Sequence, residues 1–201
     1  MKTVDSIEEL EEIYGAVHPA AVFKVAKRMT PLYRKWIGAS RFCVMSTVGP
    51  EGADGTPRGD VDPVVRELDE VTLAMPDWRG NNRLDSLRNI VRDGRIALMF
   101  MVPGDNVVLR VNGKATLTAD DDLRKTWDQK GKHPATVILI HIEEIYPQCP
   151  KALIRSRLWT SGDESEGLPS LGDMLTEMSK GDFDGAEFDK NQPERLKETI
   201  W

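Results

Sequence analysis

Cysteine is nearly missing from this chain: there are two in 201 residues, Cys43 and Cys149. Two thiols so far apart make neither a disulfide framework nor a close-spaced pair of metal ligands. Histidine is almost as scarce. His18, His133 and His141 are widely separated and no H-E-x-x-H occurs, so no metal site is expected. An excess of basic charge is also lacking. Lys and Arg total 27 against 33 Asp and Glu, a net charge of −6, which argues against a general nucleic-acid binder. Long apolar runs are absent; "IALMFMV" and "ATVILIHI" are strand-sized, so no membrane span is expected. The opening stretch "MKTVDSIEELEEIYG" is acidic and lacks the apolar core of a signal peptide, which makes the cytoplasm the expected compartment. Neither a Gly-rich dinucleotide fingerprint, nor a phosphate loop ending in Gly-Lys-Ser/Thr, nor a G-x-S-x-G elbow is present.

What is present reads as a globular chain, 40% hydrophobic and 30% charged. Ser6 and Glu9 have the spacing of a capping box, and Ile7, Leu10, Ile13, Tyr14 and Val17 follow at helical spacing. Pro19 suits the first turn of a second helix, with Val22, Val25, Ala26 and Met29 on one face, and Thr30-Pro31 opens a third that Gly38 ends. A β-rich block comes next. Strands are expected at 41–48, 60–68 and 70–76, with "GPEGADGTPRG" (49–59) as a wide turn between the first two. A helix follows, with Leu84, Leu87, Ile90 and Val91 toward the core. Then come a hairpin of 95–102 with 107–118, a helical crossover at 120–130 and a long central strand at 135–147. The division is a helical segment packed on a barrel (1–40), the barrel (41–159) and a polar extension (160–201) containing one short helix. Six strands with few crossovers favour a closed antiparallel barrel, in a mainly β chain with added helices.

One stretch asks for a ligand. In "PDWRGNNRLDSLRNIVRD" (76–93), Arg79 and Arg83 surround a helix start that is already positive. Asn81 or Asn82 can cap that helix and leave other first-turn N–H groups free; with Arg83 they would make an anion site suited to a phosphate monoester. Asp85 reads as the ordinary dipole-complementing residue. Arg58, in "TPRGDVDP", is expected to approach the same loop. The alternative is that these arginines are solvated, or paired with Asp77 and Asp85. Trp78 is either a lid over a ring or an exposed loop aromatic, and Cys43 reads as a buried thiol.

Taken in order, "TPRGDVDP", "EVTLAMPDWRGNNRLDSLRNIVRD", "RIALMFMVPG", "LRVNGKATL" and "PKALIRSRLW" resemble the pyridoxamine 5′-phosphate oxidase-like superfamily of FMN-binding split barrels, and more closely a bacterial FMN-binding subfamily of it. The likeness spans roughly residues 30–160. It implies a homodimer of six-stranded split β-barrels with FMN in clefts between subunits. Arg58, Gly59, Asp60 and Val61 would line the ring, and Pro76, Asp77, Asn81, Asn82 and Arg83 would hold the phosphate. Arg110, Lys151 and Trp159 would complete the cleft, the alternative for Trp159 being an anchor at the end of the barrel. The implied activity is that of a flavin-dependent oxidoreductase, with NAD(P)H as a candidate reductant and an unassigned small molecule as substrate. The rivals are a flavin carrier or sensor without turnover, and a barrel binding deazaflavin or haem; the few histidines disfavour haem. No catalytic residue is identified. Asn-Asn-Arg replaces the oxidase's Ser-Arg-Lys, and no His follows His141, so oxidation of vitamin B6 is not implied.

Overall fold

The computed structural model describes residues 1–201. Three helices come first: α1 (Ile7–Tyr14), α2 (Pro19–Phe23) and α3 (Pro31–Ile37). The Ser6 side chain caps α1 by accepting the Glu9 N–H, while the Glu9 carboxylate accepts from Asp5, so the expected capping box is half formed. Thr30 caps α3, whose Ile37 is buried. α1 buries nothing: Ile7, Leu10, Ile13 and Tyr14 all face solvent on this protomer.

The expectation of a closed six-stranded barrel is corrected by the pairing. Seven strands form one antiparallel sheet in the order β2-β1-β5-β6-β7-β4-β3, with no ladder between its two edges. They are β1 (Phe42–Gly49), β2 (Gly52–Gly59), β3 (Arg66–Asp69), β4 (Thr72–Asp77), β5 (Arg95–Met101), β6 (Val108–Thr118) and β7 (Thr136–Gln148). Residues 49–59 are not a wide turn. They form strand β2, paired with β1 from Phe42↔Gly59 to Gly49↔Gly52 around a two-residue turn, Pro50-Glu51. Tertiary pairing overrides the glycines, and Pro57 is tolerated because β2 is an edge. The return strand shrinks to β3, while 60–65 cross as a loop tied to the start of β1 by Asp60 N–H to Arg41 C=O (3.0 Å) and Val64 N–H to Ser40 C=O (2.9 Å).

The core lies on the inner face of the sheet, where Met45, Phe100, Leu98, Val111, Ile138, Ile140 and Ile142 are sealed from water. β4 is buried on both faces, because Ala74 packs under Trp127 in a second, smaller cluster. β6 and β7 carry a bulge at Asn112/Gly113, where a Cβ on Gly113 would stand 1.9 Å from the His141 carbonyl oxygen.

Helix α4 (Asp85–Arg92) follows β4 and lies against the β1–β2 hairpin. Its spacing sets one polar stripe on that hairpin: Ser86 donates to Asp54, the buried Asn89 donates to Thr47 (3.3 Å) and Arg92 pairs with Glu51. Ile90 is buried and Leu87 packs on the core, as expected, whereas Leu84 and Val91 are exposed. The expected crossover holds only the short α5 (Asp121–Arg124), and α6 (Lys151–Ser156) follows β7. The extension contains two helices rather than one, α7 (Leu171–Met178) and α8 (Gly185–Thr199). They cross where Gly172 and Gly185 leave no room for a side chain. No helix is long and apolar enough to cross a membrane.

The two thiols differ in a measurable way. Burial pushes the Cys43 thiol up to about 12, only partly offset by the Arg58 charge, whereas Cys149 is exposed and held below its ordinary value, chiefly by the Lys151 N–H. The thiolate is the reactive form. Ellman titration at mildly alkaline pH should therefore find one reactive thiol in the native protein, at Cys149, and two after denaturation; two fast native thiols would contradict the burial of Cys43.

Candidate functional site

A cavity of about 1230 Å³ opens between the end of β2, the end of β4 and the loop leading into α4. It lies at the seam of the sheet. Arg58, on edge strand β2, reaches across to pair with Asp77 at the end of β4, so the sheet is rolled until its ends nearly meet. Register explains why Arg58 points inward: it sits opposite the buried Cys43, and Thr56 and Asp54 follow on the same face opposite Met45 and Thr47. Arg58 was expected near the 76–83 loop, and it is, though through the rolled sheet rather than through neighbouring strands.

The loop into α4 does not use the cap expected of it. Leu84 stands at the cap position in the left-handed region (φ 63°) and supplies no side-chain acceptor. Asn81 instead accepts the Arg83 N–H (3.0 Å), and Asn82 is also left-handed (φ 60°). Two non-glycine residues held in that region flank Arg83, a strain of about 1–2 kcal/mol each that the surroundings must offset. The first α4 amide to find an intrahelical carbonyl in this turn is that of Arg88, bonded to Leu84 (2.9 Å). Asp85, Ser86 and Leu87 all line the cavity, and their N–H groups have no capping side chain. The expectation of free first-turn donors holds; the residue that leaves them free is Leu84 rather than an asparagine.

The arginines are not bare. Asp85 pairs with Arg83 instead of merely complementing the helix dipole, and Asp77 pairs with Arg58. Arg58, Arg79 and Arg83 face four lining aspartates, so the cavity is not a uniformly basic pocket. The aspartates are engaged: Asp54 accepts from Ser86, Asp60 accepts the Trp78 indole N–H (2.8 Å), and Asp77 and Asp85 hold the two arginines. Arg83 spends only its Nε on Asp85 and is otherwise open to solvent, and the Arg79 side chain has no hydrogen-bond partner.

Two buried polar atoms have no partner in the protein, Arg58 Nε and Thr136 Oγ1, and both residues line this cavity. An unpartnered buried donor costs roughly 1–3 kcal/mol. A ligand rich in acceptors, with a ring bearing carbonyls and a phosphate, suits a cavity lined by both these residues, by the Arg79 and Arg83 side chains and by the uncapped first turn of α4. The residues present therefore fit a group such as FMN.

Nine of the twelve residues expected at the cofactor meet here: Arg58, Gly59, Asp60, Val61, Pro76, Asp77, Asn81, Asn82 and Arg83. The other three do not. Arg110 lies over the Tyr146 ring (5.3 Å), Lys151 is exposed at the start of α6, and the Trp159 indole donates to the Asp105 carbonyl (2.8 Å). Asp54, Thr56, Thr136, Ile200 and Trp201 also line the cavity, unanticipated. A signal for the first two was available: Asp54, Thr56 and Arg58 alternate with glycine and proline, the period of a strand with one polar face. For Trp201 there was none.

Residues 29–149 match the family model described as pyridoxamine 5′-phosphate oxidase. No curated protein matches the chain. Among solved structures, the chain is similar to HupZ of Group A Streptococcus, at 19% identity over 59% of this chain and 94% of that one, with a TM-score of 0.49. It is also similar to a Clostridium acetobutylicum protein related to general stress protein 26 of the pyridoxinephosphate oxidase family. There the identity is 11% over 57% of this chain and 84% of that one, with a TM-score of 0.43. With the family model covering more than half its length, and the cavity at the seam of the matched sheet, the chain belongs to the pyridoxamine 5′-phosphate oxidase family.

Proposed function

We propose that this chain binds FMN in the seam cavity and acts as a flavin-dependent oxidoreductase on a small molecule. The observation that carries this reading is the pair of unpartnered buried atoms, Arg58 Nε and Thr136 Oγ1, on residues lining a cavity that the uncapped first turn of α4 also lines. In this reading the first turn of α4, Arg83 and Arg79 hold the phosphate, and Arg58 donates to the ring. Asp77 fixes the Arg58 guanidinium by accepting from one Nη, and Nε has no partner in the protein. Bound FMN supplies the redox chemistry that the side chains lack.

Two copies of the chain complete the site in this proposal, each a split barrel whose unladdered seam faces the other. Arg110, Lys151 and Trp159, remote from the cavity on their own protomer, are then the residues a second copy brings. A second reading, a flavin carrier or sensor without turnover, is favoured by one observation: no His, Cys, Lys, Tyr or Glu side chain lines the cavity. NAD(P)H oxidation by loaded protein separates the two readings.

Size-exclusion chromatography with light scattering and absorbance tests the proposal in one run. The expected result is a flavin spectrum co-eluting at one FMN per chain with twice the chain mass of 22.6 kDa. A flavin-free peak after incubation with excess FMN, or a Soret band in the purified protein, would overturn it.

A further inference from the structure

Trp201 stands just beyond α8, more than fifty residues past the matched family region, yet it forms part of the cavity wall. Its ring packs edge-to-face on Trp78 at 5.1 Å, with an interplanar angle of 73°. Trp78 is itself fixed, since its indole N–H donates to Asp60 (2.8 Å). Trp201 is held from behind: Lys132 Nζ donates to the backbone oxygens of Glu198 (2.8 Å) and Trp201 (3.1 Å). The α7–α8 unit is rigid where it starts, because Asp189 accepts from Ser170 Oγ (2.5 Å) and the Gly172 N–H (2.9 Å). The extension thus brings one indole to the cavity wall, held there by the Trp78 ring and by Lys132 on its backbone.

We infer that Trp201 is a ligand-contacting residue, and that Trp78 and Trp201 together form the aromatic wall against which the planar heteroaromatic ring of the bound ligand packs. The inference rests on the FMN reading above and deepens it. In an edge-to-face pair one indole keeps a face free, and an electron-rich indole face is suited to an electron-poor ring. The cavity retains about 1230 Å³ with both indoles in place, more than most small-molecule clefts, so the indole serves as a wall and need not be displaced. Lys132 is a positioning residue, acting only through Trp201.

The test uses full-length protein loaded with FMN. Three variants are compared with wild type: Trp201→Leu, Trp201→Phe and Lys132→Ala. Two readouts are followed, the emission of bound FMN and its release rate on dilution, with thermal melts as a check on folding. An indole against the ring quenches its emission. Trp201→Leu should raise bound-FMN emission several-fold and speed release by about tenfold. Trp201→Phe, which keeps a ring, should restore most of the slow release, and Lys132→Ala should fall between. Emission and release unchanged in Trp201→Leu would overturn the assignment while leaving FMN binding intact. Faster association with tighter binding would overturn it too, by showing the indole to be an obstruction. Wild-type protein that takes up no FMN would sink the cofactor reading itself, and this assignment with it.

Discussion

Gly113→Ala should cost the fold about 3 kcal/mol or more. The new Cβ would meet the His141 carbonyl oxygen at 1.9 Å, its carbonyl carbon at 3.0 Å and the Glu143 nitrogen at 3.3 Å. All three are backbone atoms of β7, the strand that β6 pairs with along its whole length, so no flexible side chain can give way. Relief requires the bulge at Asn112/Gly113 to reopen, and that shifts the buried Val111 and Ile142 on either side of it. The substitution thus attacks the middle of the sheet. Urea unfolding should show a lower midpoint with an unchanged slope. Gly80→Ala is the control: a Cβ there meets nothing within 4 Å, and the change should stay within about 0.5 kcal/mol. A midpoint for Gly113→Ala matching that control would refute the bulge geometry.

The second large effect separates two residues that touch. Arg58→Met keeps the aliphatic stem but removes the guanidinium, and with it the unpartnered Nε and the partner of Asp77. FMN affinity should fall about a hundredfold, near 2.7 kcal/mol, the worth of a charge-assisted hydrogen bond in a shielded site. Asp77→Asn should do the reverse. It leaves the mostly buried Arg58 without a charged partner, destabilising the ligand-free protein by about 2 kcal/mol. The Asn oxygen can still accept from the Arg58 Nη and hold the guanidinium in place while one negative charge leaves the cavity, so FMN should bind at least as tightly, and the melting temperature should rise more on loading than in wild type. Arg83→Ala should weaken FMN by only about 1.5 kcal/mol, because that side chain is 80% exposed and its interaction is screened. Fluorescence titration and paired melts with and without FMN read all three. Equal loss of affinity in Arg58→Met and Asp77→Asn would mean that the ion pair is merely structural.

The sequence was most legible where one physical signal dominated. The apolar alternation of β5, β6 and β7 and the Pro-first start of α3 placed those elements within a residue or two, whereas α2 starts at Pro19 as expected but ends at Phe23, well short of Met29. It misled where two signals competed. Glycine and proline in 49–59 suggested a turn, yet pairing with β1 makes the stretch a strand, and its polar alternation becomes the floor of the cavity. Asn81 and Asn82 are good caps by type, but the chain enters α4 through two left-handed residues and leaves the cap position to Leu84. Local composition cannot report such an entry angle. The loop residues were legible as a group that lines one cavity; the alternative, pairing of the arginines with Asp77 and Asp85, forms in both cases. Trp201 could not be foreseen, because only the α7–α8 crossing at Gly172 and Gly185 brings it back to the sheet.

The unladdered edges have a consequence for aggregation. β3 offers only four residues to an incoming strand, and β2 contains Pro57, which has no amide hydrogen to donate, among three glycines that resist a flat extended row. Both rims are thus poor templates for intermolecular strand addition. In the dimer proposed above, two copies would meet by matching side-chain surfaces across the seam rather than by fusing into one continuous sheet, and could come apart into intact protomers without seeding fibres.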